Sequence, residues 1–260
     1  MVFPYEQYEK LTESLTVYYP TGAEDYARWV LSTVEKASML LTRLLARPIP
    51  EMHILLATDA DWSLAPRDEE EEVGAVQPYW TAATTPPTLV VPLMLDAIWG
   101  EQTNEKLAFV IYHEVALAFL EDDPRPWPDD YPLWADEWQL KFAALWLSQQ
   151  LDGQQGVVNK DLHTQFVELF EPEPDGKTPV TVRGFDWYED TTLDEYLEYE
   201  LLLEQFAADL LASYQPEILP RFLALYRIER ERLLSDDITE MLASVLVPDG
   251  ETWLENLVYF

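Results

Sequence analysis

The sequence predicts an α+β fold, with a small mixed sheet and a helix in the N-terminal part and a mainly helical C-terminal part. Two observations indicate this fold class. Short apolar segments typical of strands lie before residue 100, whereas longer segments with apolar residues at helical spacing follow it. In addition, 48% of the 260 residues are hydrophobic and 13% are aromatic, which is enough apolar side chain for a packed core.

The N-terminal lobe, residues 1–122, contains most of the predicted strands. Its predicted elements are a helix, two strands and a second helix, at 24–47, 52–58, 88–94 and 104–121. The second strand contains Pro92, which has no N–H to donate to a ladder, so we expect this strand at an edge of the sheet. Residues 66–74 include a run of acidic side chains and predict a solvated loop.

The C-terminal lobe, residues 123–260, is predicted to be helical and to form one compact unit with the first lobe. Residues 122–132 are rich in proline and predict a stiff connection into it. Residues 178–183 predict one brief strand, after a proline-containing turn at 171–176. Pro220 suits the first turn of its helix. The predicted helices are 133–150, 161–170, 193–214, 220–234, 236–246 and 252–258.

The chain is strongly acidic, with 16 Lys and Arg against 49 Asp and Glu and a formal net charge of −33. Such a chain repels phosphate backbones, so we expect no binding to nucleic acid. An anionic membrane surface is disfavoured for the same reason. The charge by itself indicates only solubility. It leaves room for basic or neutral peptide and protein partners, and for metal ions.

The sequence contains no Cys, which excludes disulfides, thiolate zinc ligands and cysteine nucleophiles. Its first residues lack the basic and apolar regions of a secretory signal. The most apolar stretch, 89–99, contains Pro92 and Asp96 and is too short to cross a bilayer. We therefore expect a cytoplasmic protein.

Histidine is scarce, and one of the 3 His residues lies in the middle of a predicted helix. In a helical zinc peptidase, His residues at i and i+4 bind the metal, and a Glu at i+1 takes a proton from the metal-bound water. His113 and Glu114 fit the first two positions, whereas Leu117 stands at i+4 and has no donor atom. On its own, such a His-Glu pair is more often a hydrogen-bonded core histidine than a metal ligand.

A second segment lies at the start of the next predicted helix, where Pro132 is followed by Trp134 and Glu137. If the two helices pack antiparallel across the proline-rich connection, Glu137 faces back toward His113. An acidic third ligand is typical of zinc sites of the His₂Glu type. The context therefore strengthens the interpretation of His113 and Glu114 as parts of a metal site.

These segments resemble the gluzincin branch of the zincin metallopeptidases (peptidase MA-like), in which a HExxH helix is followed by a Pro-x-Trp-x-x-Glu-Gly segment. Here the first motif is degenerate and reads HEVAL. The C-terminal part is similar to the same family, because a helix at 199–211 is followed by a Tyr-Gln-Pro-Glu-Ile-Leu-Pro turn at 214–220. The resemblance runs, with gaps, from the first long helix to the C terminus. It implies a zincin-like fold whose edge strand holds the substrate chain.

The resemblance also implies roles for individual residues. His113 matches the first zinc ligand and Glu137 the third, while Glu114 matches the general base. Tyr199, or less closely Tyr196, matches a tyrosine that stabilises the tetrahedral oxyanion, although both side chains equally suit packing.

Two positions depart from the family's pattern. Leu117 replaces the second His ligand, and Trp138 replaces a Gly, so that its bulk is expected to crowd the cleft. A catalytic zinc site needs about three protein ligands and an open position, so His113 and Glu137 predict a protein without a resident cofactor. Zinc requires a substitute ligand, and each candidate is more typical of a solvated loop or helix end: Asp122, Asp123, Asp136 and His163. His53 is expected to be a strand residue without a chemical role.

Three hypotheses follow, in order of preference. The first is a catalytically inactive zincin-like homologue, a pseudoenzyme whose cleft binds a peptide or protein. The second is an active metal-dependent peptidase or hydrolase with a rebuilt ligand set. The third is an acidic protein-interaction module in which the pairing of His113 with Glu114 is accidental. Glu114 argues against the first, because an idle base has no chemical reason to stay buried unless hydrogen bonds hold it.

Overall fold

The computed structural model describes residues 3–68, 75–121, 132–170, 180–185, 191–229 and 231–260. Within these ranges the chain is a mixed α+β protein with one five-stranded sheet and eight α-helices, so the predicted α+β class with a small mixed sheet is confirmed. The chain divides into two compact units. The first is Met1–Glu121 with Gln150–Asp152, and the second is Asp122–Gln149 with Gly153–Phe260.

The first unit contains the sheet. Its order is β1-β2-β3-β5-β4, in which β2, β3 and β5 are parallel, while β1 and β4 lie antiparallel at the two edges. Along the chain, β4 and then β5 come before helix α2. The strands and helices of this unit are β1 (Glu9–Thr12), β2 (Thr16–Tyr19), α1 (Glu24–Leu45), β3 (His53–Ala57), β4 (Tyr79–Thr81), β5 (Thr88–Pro92) and α2 (Asn104–Leu120).

Helices α1 and α2 pack against each other, and α2 also contacts β4 and β5. In α1, the fully buried Val30, Val34 and Leu41 recur at helical spacing and form one apolar stripe. Helix α2 is buried over most of its surface, as its nearly continuous apolar sequence predicts. Its first turn is capped by Thr103, whose hydroxyl accepts a hydrogen bond from the Lys106 backbone N–H at 3.2 Å.

The predicted edge position of the second strand is wrong. Strand β5 lies inside the sheet, between β3 and β4. Pro92 is tolerated there because it is the last residue of β5, beyond the three residues that pair with β4. Its carbonyl is still used, since it accepts a hydrogen bond from the Tyr26 hydroxyl at 2.8 Å. The edge next to α2 is formed instead by β4, which the sequence did not predict.

The second unit is helical in its described residues, and aromatic side chains fill its core. Trp138, Phe142, Phe206 and Phe222 are completely buried there. Thr192 and Glu195 form a reciprocal capping box that begins the longest helix of this unit. The helices are α3 (Trp134–Leu151), α4 (Lys160–Gln165), α5 (Leu193–Ser213), α6 (Ile218–Tyr226), α7 (Ser235–Val245) and α8 (Gly250–Glu255).

Two predictions in this unit are wrong. Residues 180–183 form no strand, because the Thr181 carbonyl and hydroxyl accept hydrogen bonds from the Phe185 and Gly184 backbone N–H groups and close a turn. The helix predicted at 220–234 begins at Ile218 and ends at Tyr226. Its apolar stripe does not continue, since Ile228 is 71% exposed.

Some predictions fall outside the described residues: the greater part of the loop at 66–74, nearly all of the connection at 122–132 and the turn at 171–176. In the part that the structure describes, no helix is both long enough and apolar enough to cross a membrane.

Candidate functional site

His113 and Glu114 lie side by side in α2. His113 Nδ1 is 2.9 Å from Glu114 Oε1, so the imidazole N–H can donate to the carboxylate. Both side chains are largely buried, with 15% and 9% of their surface exposed. Two adjacent residues of one helix usually diverge in direction. This pair converges because the Glu114 carboxylate reaches back to the imidazole.

The other carboxylate oxygen of Glu114 binds the edge strand of the sheet. The backbone N–H of Trp80, in β4, donates to Glu114 Oε2 at 2.9 Å. The indole Nε1 of the same residue donates to Glu121 Oε2 at 2.6 Å. Glu114 and Glu121 are two helical turns apart and therefore lie on one face of α2. We call these three residues the Trp80 clamp, because two carboxylates of one helix hold one strand residue.

Leu117 lies between the two carboxylates of the Trp80 clamp along α2 and is half-buried. It has no donor atom, so α2 offers a metal only His113 from the HExxH ligand pair. Within the described residues, no group of three or more His, Cys, Asp or Glu side chains is placed to hold a metal ion. His113 alone supplies one of the about three protein ligands that a catalytic zinc site needs.

Glu137 and Tyr199 belong to the second unit, on α3 and α5. Tyr199 is 1% exposed, and its ring stacks on Phe185 with 4.1 Å between centroids. Its hydroxyl has no hydrogen-bond partner among the described residues. Burial raises the pKa of Tyr199 far above its usual value, and the charges of Glu137 and Glu200 raise it further. Tyr199 is thus a packed, un-ionised phenol, and its role toward an oxyanion stays a prediction.

A buried ion pair lies beside Glu137. Lys141 Nζ donates to Glu200 Oε2, and only 6% and 7% of the two side chains are exposed. Lys141 is one helical turn beyond Glu137 on α3. Burial alone lowers the pKa of Lys141, but the nearby charges of Glu200, Glu137 and Glu204 outweigh it and raise that pKa above its usual value. The ammonium group is therefore a permanent positive charge inside the second unit.

Trp138 is also part of the second unit. It is completely buried and packs edge-on against three rings, the nearest being that of Phe222 at 4.9 Å between centroids. The other two rings belong to Phe142 and Phe206. The Trp138 side chain, which was expected to crowd a cleft, therefore lies in the aromatic core of this unit.

The substitute ligands considered from the sequence have other partners where they are described. Asp136 Oδ1 accepts a hydrogen bond from Gln139 Nε2 at 3.0 Å, within α3. His163 Nε2 is 3.3 Å from Glu204 Oε2. Asp122 and Asp123 lie outside the described residues. His53 begins β3 and packs edge-on against the Tyr18 ring, in agreement with its expected structural role.

A second carboxylate network holds the segment before α4. Glu204 is 1% exposed and accepts hydrogen bonds from the Val158 and Asn159 backbone N–H groups and from Asn159 Nδ2, the last at 2.8 Å. Burial alone raises the pKa of Glu204, but His163 and Asn159 stabilise its ionised form and hold the pKa below its usual value. The carboxylate is therefore an ionised anchor for this segment.

Sequence reasoning missed Trp80, Glu121, Lys141 and Glu204. The one available signal was the seven-residue spacing of Glu114 and Glu121, which puts two carboxylates on the same face of a predicted buried helix. Lys141 and Glu204 gave no signal. Among so many charged residues, nothing in the sequence distinguishes a buried charge from an exposed one.

The Trp80 clamp leads to a prediction for Glu114. Glu114→Leu removes the acceptor of the buried Trp80 N–H and should lower the free energy of unfolding by about 1–3 kcal/mol. Glu114→Gln keeps one acceptor oxygen and should cost less than about 1 kcal/mol. Urea unfolding followed by tryptophan fluorescence measures both variants. Equal losses in the two variants would mean that the charge of Glu114, and not its hydrogen bond to β4, stabilises the unit.

We compared the chain with protein-family models and with curated proteins. No protein-family model matches the chain, and no curated protein matches it at a significant level.

Proposed function

We propose that the chain is a gluzincin-type zincin homologue that has lost peptidase chemistry and binds a peptide or protein segment at the α2–β4 side of its first unit. The observation that carries this proposal is the state of Glu114. Both of its carboxylate oxygens are engaged, one by His113 and one by the edge strand, and Leu117 stands where a second His ligand is needed. A general base must be able to face a water molecule.

The architecture of the first unit supports the family assignment. The mixed sheet has an antiparallel edge strand, β4, and the chain passes from β4 through β5 and one short 3-10 turn into the helix with the His-Glu pair. In the family that the sequence resembles, this edge strand holds an extended chain, which is recognition by strand addition. Among the described residues, β4 has a strand neighbour on one side only, and Glu114 takes the Trp80 N–H on its other side, so a bound chain has to pair with β4 beyond that bond or displace it.

The Trp80 clamp also accounts for the retention of Glu114. Without a metal, an acidic side chain in this position has no chemical use, and its burial costs free energy unless it is hydrogen-bonded. Here the carboxylate accepts the Trp80 N–H at 2.9 Å and thereby fixes the edge strand on the helix. A structural duty of this kind keeps Glu114 after the chemistry is lost.

The experiment restores the missing ligand with Leu117→His. We expect zinc affinity, measured by competition with a chromogenic chelator, to rise at least about 10-fold above wild type, because losses in the second coordination shell alone change affinity by about 10–100-fold. The matched control is Ala118→His, which adds the same side chain about 100° further around the helix. The control should leave the affinity unchanged. In the restored variant, His113→Ala should remove the gain.

Two outcomes would count against the proposal. An equal gain in Leu117→His and Ala118→His would mean that any added imidazole binds zinc, so the resemblance would lose its basis. Near-stoichiometric zinc in the wild-type protein, lost in His113→Ala and accompanied by cleavage of a casein substrate, would establish the second hypothesis, an active hydrolase with a rebuilt ligand set.

A further inference from the structure

A groove of about 880 Å³ lies in the second unit, between α7, α8 and the C-terminal residues. Its volume is within the range of typical ligand pockets, which is about 300–1,000 Å³. Part of the lining is apolar and comes from both helices and from the C terminus. These apolar residues are Ala243, Pro248, Leu254, Leu257 and Phe260. Val247, which is next to this lining in sequence, is 68% exposed.

The polar part of the lining is strongly negative. Arg183 is the one cation that lines the groove within the described residues, and it already pairs with Asp236 and lies over the Phe260 ring at 5.8 Å. Glu240, Glu251 and Glu255 are exposed and have no cationic partner in the part of the chain that the structure describes. The lining carboxylates are Asp236, Glu240, Asp249, Glu251 and Glu255.

The walls of the groove are fixed by close packing of α7 against α8. A Cβ atom on Gly250, the first residue of α8, would lie 2.2 Å from the Ala243 carbonyl oxygen, so the two helices approach as closely as a glycine allows. Helices α7 and α8 contact each other, and Leu242 in α7 and Leu254 in α8 are both buried. A groove with packed helical walls is preformed, and binding to it costs little ordering of the protein.

We propose that this groove binds an extended segment of a partner protein in which Lys or Arg alternates with apolar residues. The apolar lining can cover apolar side chains, and the unpaired carboxylates match basic ones. Nucleic acid and acidic peptides do not fit, because the lining repels them. The site lies wholly within the second unit and is independent of the zincin resemblance.

The probe is a short fluorescein-labelled peptide of alternating Lys and Leu, measured by fluorescence anisotropy at about 0.15 M salt, where exposed charges more than about 8 Å apart are largely screened. The groove variant combines Glu240→Gln, Glu251→Gln and Glu255→Gln. The matched control removes three exposed carboxylates of the first unit, by Glu6→Gln, Glu51→Gln and Asp59→Asn. Since both variants lose the same net charge, any difference between them reports the position of that charge.

We expect the groove variant to weaken peptide binding at least about 10-fold and the control less than about 2-fold. Ser244→Trp, which fills the groove from an exposed lining position without changing its charge, should weaken binding by a similar factor. An alternating Lys–Ser peptide should bind more weakly than the Lys–Leu peptide, because it lacks apolar side chains. Equal losses in groove variant and control, or equal binding of both peptides, would overturn the proposal in favour of general attraction to an acidic surface.

Discussion

Replacing Lys141 with Met is expected to lower the free energy of unfolding by about 3–5 kcal/mol, the usual cost of breaking a buried ion pair from one side. Only 6% of the Lys141 side chain is exposed, and its ammonium group pairs with Glu200, which is equally buried. Met has a similar length and fills the same space. The loss of stability is therefore caused by the buried Glu200 carboxylate that is left without a partner, and not by a cavity. Urea unfolding monitored by tryptophan fluorescence measures this free energy.

The matched control for Lys141→Met is the double variant with Glu200→Met. Replacing a whole buried ion pair by apolar residues is often neutral or stabilising, so the double variant should recover most of the lost stability.

The pKa of Lys141 is raised in the folded protein. Its contribution to the free energy of unfolding is therefore present below its ordinary pKa of about 10.4 and is lost only as the pH rises through the raised value. The free energy of unfolding that Lys141→Met removes should thus stay constant between about pH 6 and about pH 9. A loss below about 1 kcal/mol would show that water reaches Glu200.

The parts of the fold that the sequence predicted well are those with long periodic patterns. Helices α1, α2, α3 and α5 agree with prediction to within two residues at either end, because each has many apolar positions at helical spacing. Strand β4 was not predicted because three residues, Tyr79 to Thr81, are too few to show an alternating pattern. Its place in the sheet depends on β5, which is distant in sequence and therefore lies beyond local reasoning.

In the candidate site too, local features could be predicted from the sequence, whereas contacts between distant segments could not. That His113 and Glu114 lie next to each other on one buried helix could be predicted from the sequence, whereas the hydrogen bond between their side chains was not predicted. The hydrogen bond from Trp80 to Glu114 could not, because it joins residues 34 positions apart through the sheet. Pro92 was misread for a related reason, since a proline at the end of a strand costs no ladder bond and does not require an edge. Contacts between elements, and not the elements themselves, decide what Glu114 does.

Glu204→Leu should be the second strongly destabilising substitution. It removes the acceptor of the Val158 and Asn159 backbone N–H groups and of Asn159 Nδ2, all of which are buried. Each unsatisfied buried donor costs about 1–3 kcal/mol, so a total loss of at least about 3 kcal/mol is expected. Urea unfolding at neutral pH measures it. Glu217→Leu, at an exposed position of the same unit, is the control and should stay within about 0.5 kcal/mol of wild type.

The pH dependence of stability distinguishes the contribution of the Glu204 charge from that of its hydrogen-bond acceptors. Because the pKa of Glu204 is lowered in the folded protein, its ionised form contributes stability above the ordinary Glu pKa of about 4.3, and this contribution is lost as the pH falls through the lowered value. Glu204→Gln keeps one acceptor oxygen but cannot titrate. Thermal unfolding at a series of pH values should therefore show a shallower acid loss in Glu204→Gln than in wild type. Identical acid profiles would mean that other carboxylates cause the acid sensitivity and that Glu204 acts only through hydrogen-bond geometry.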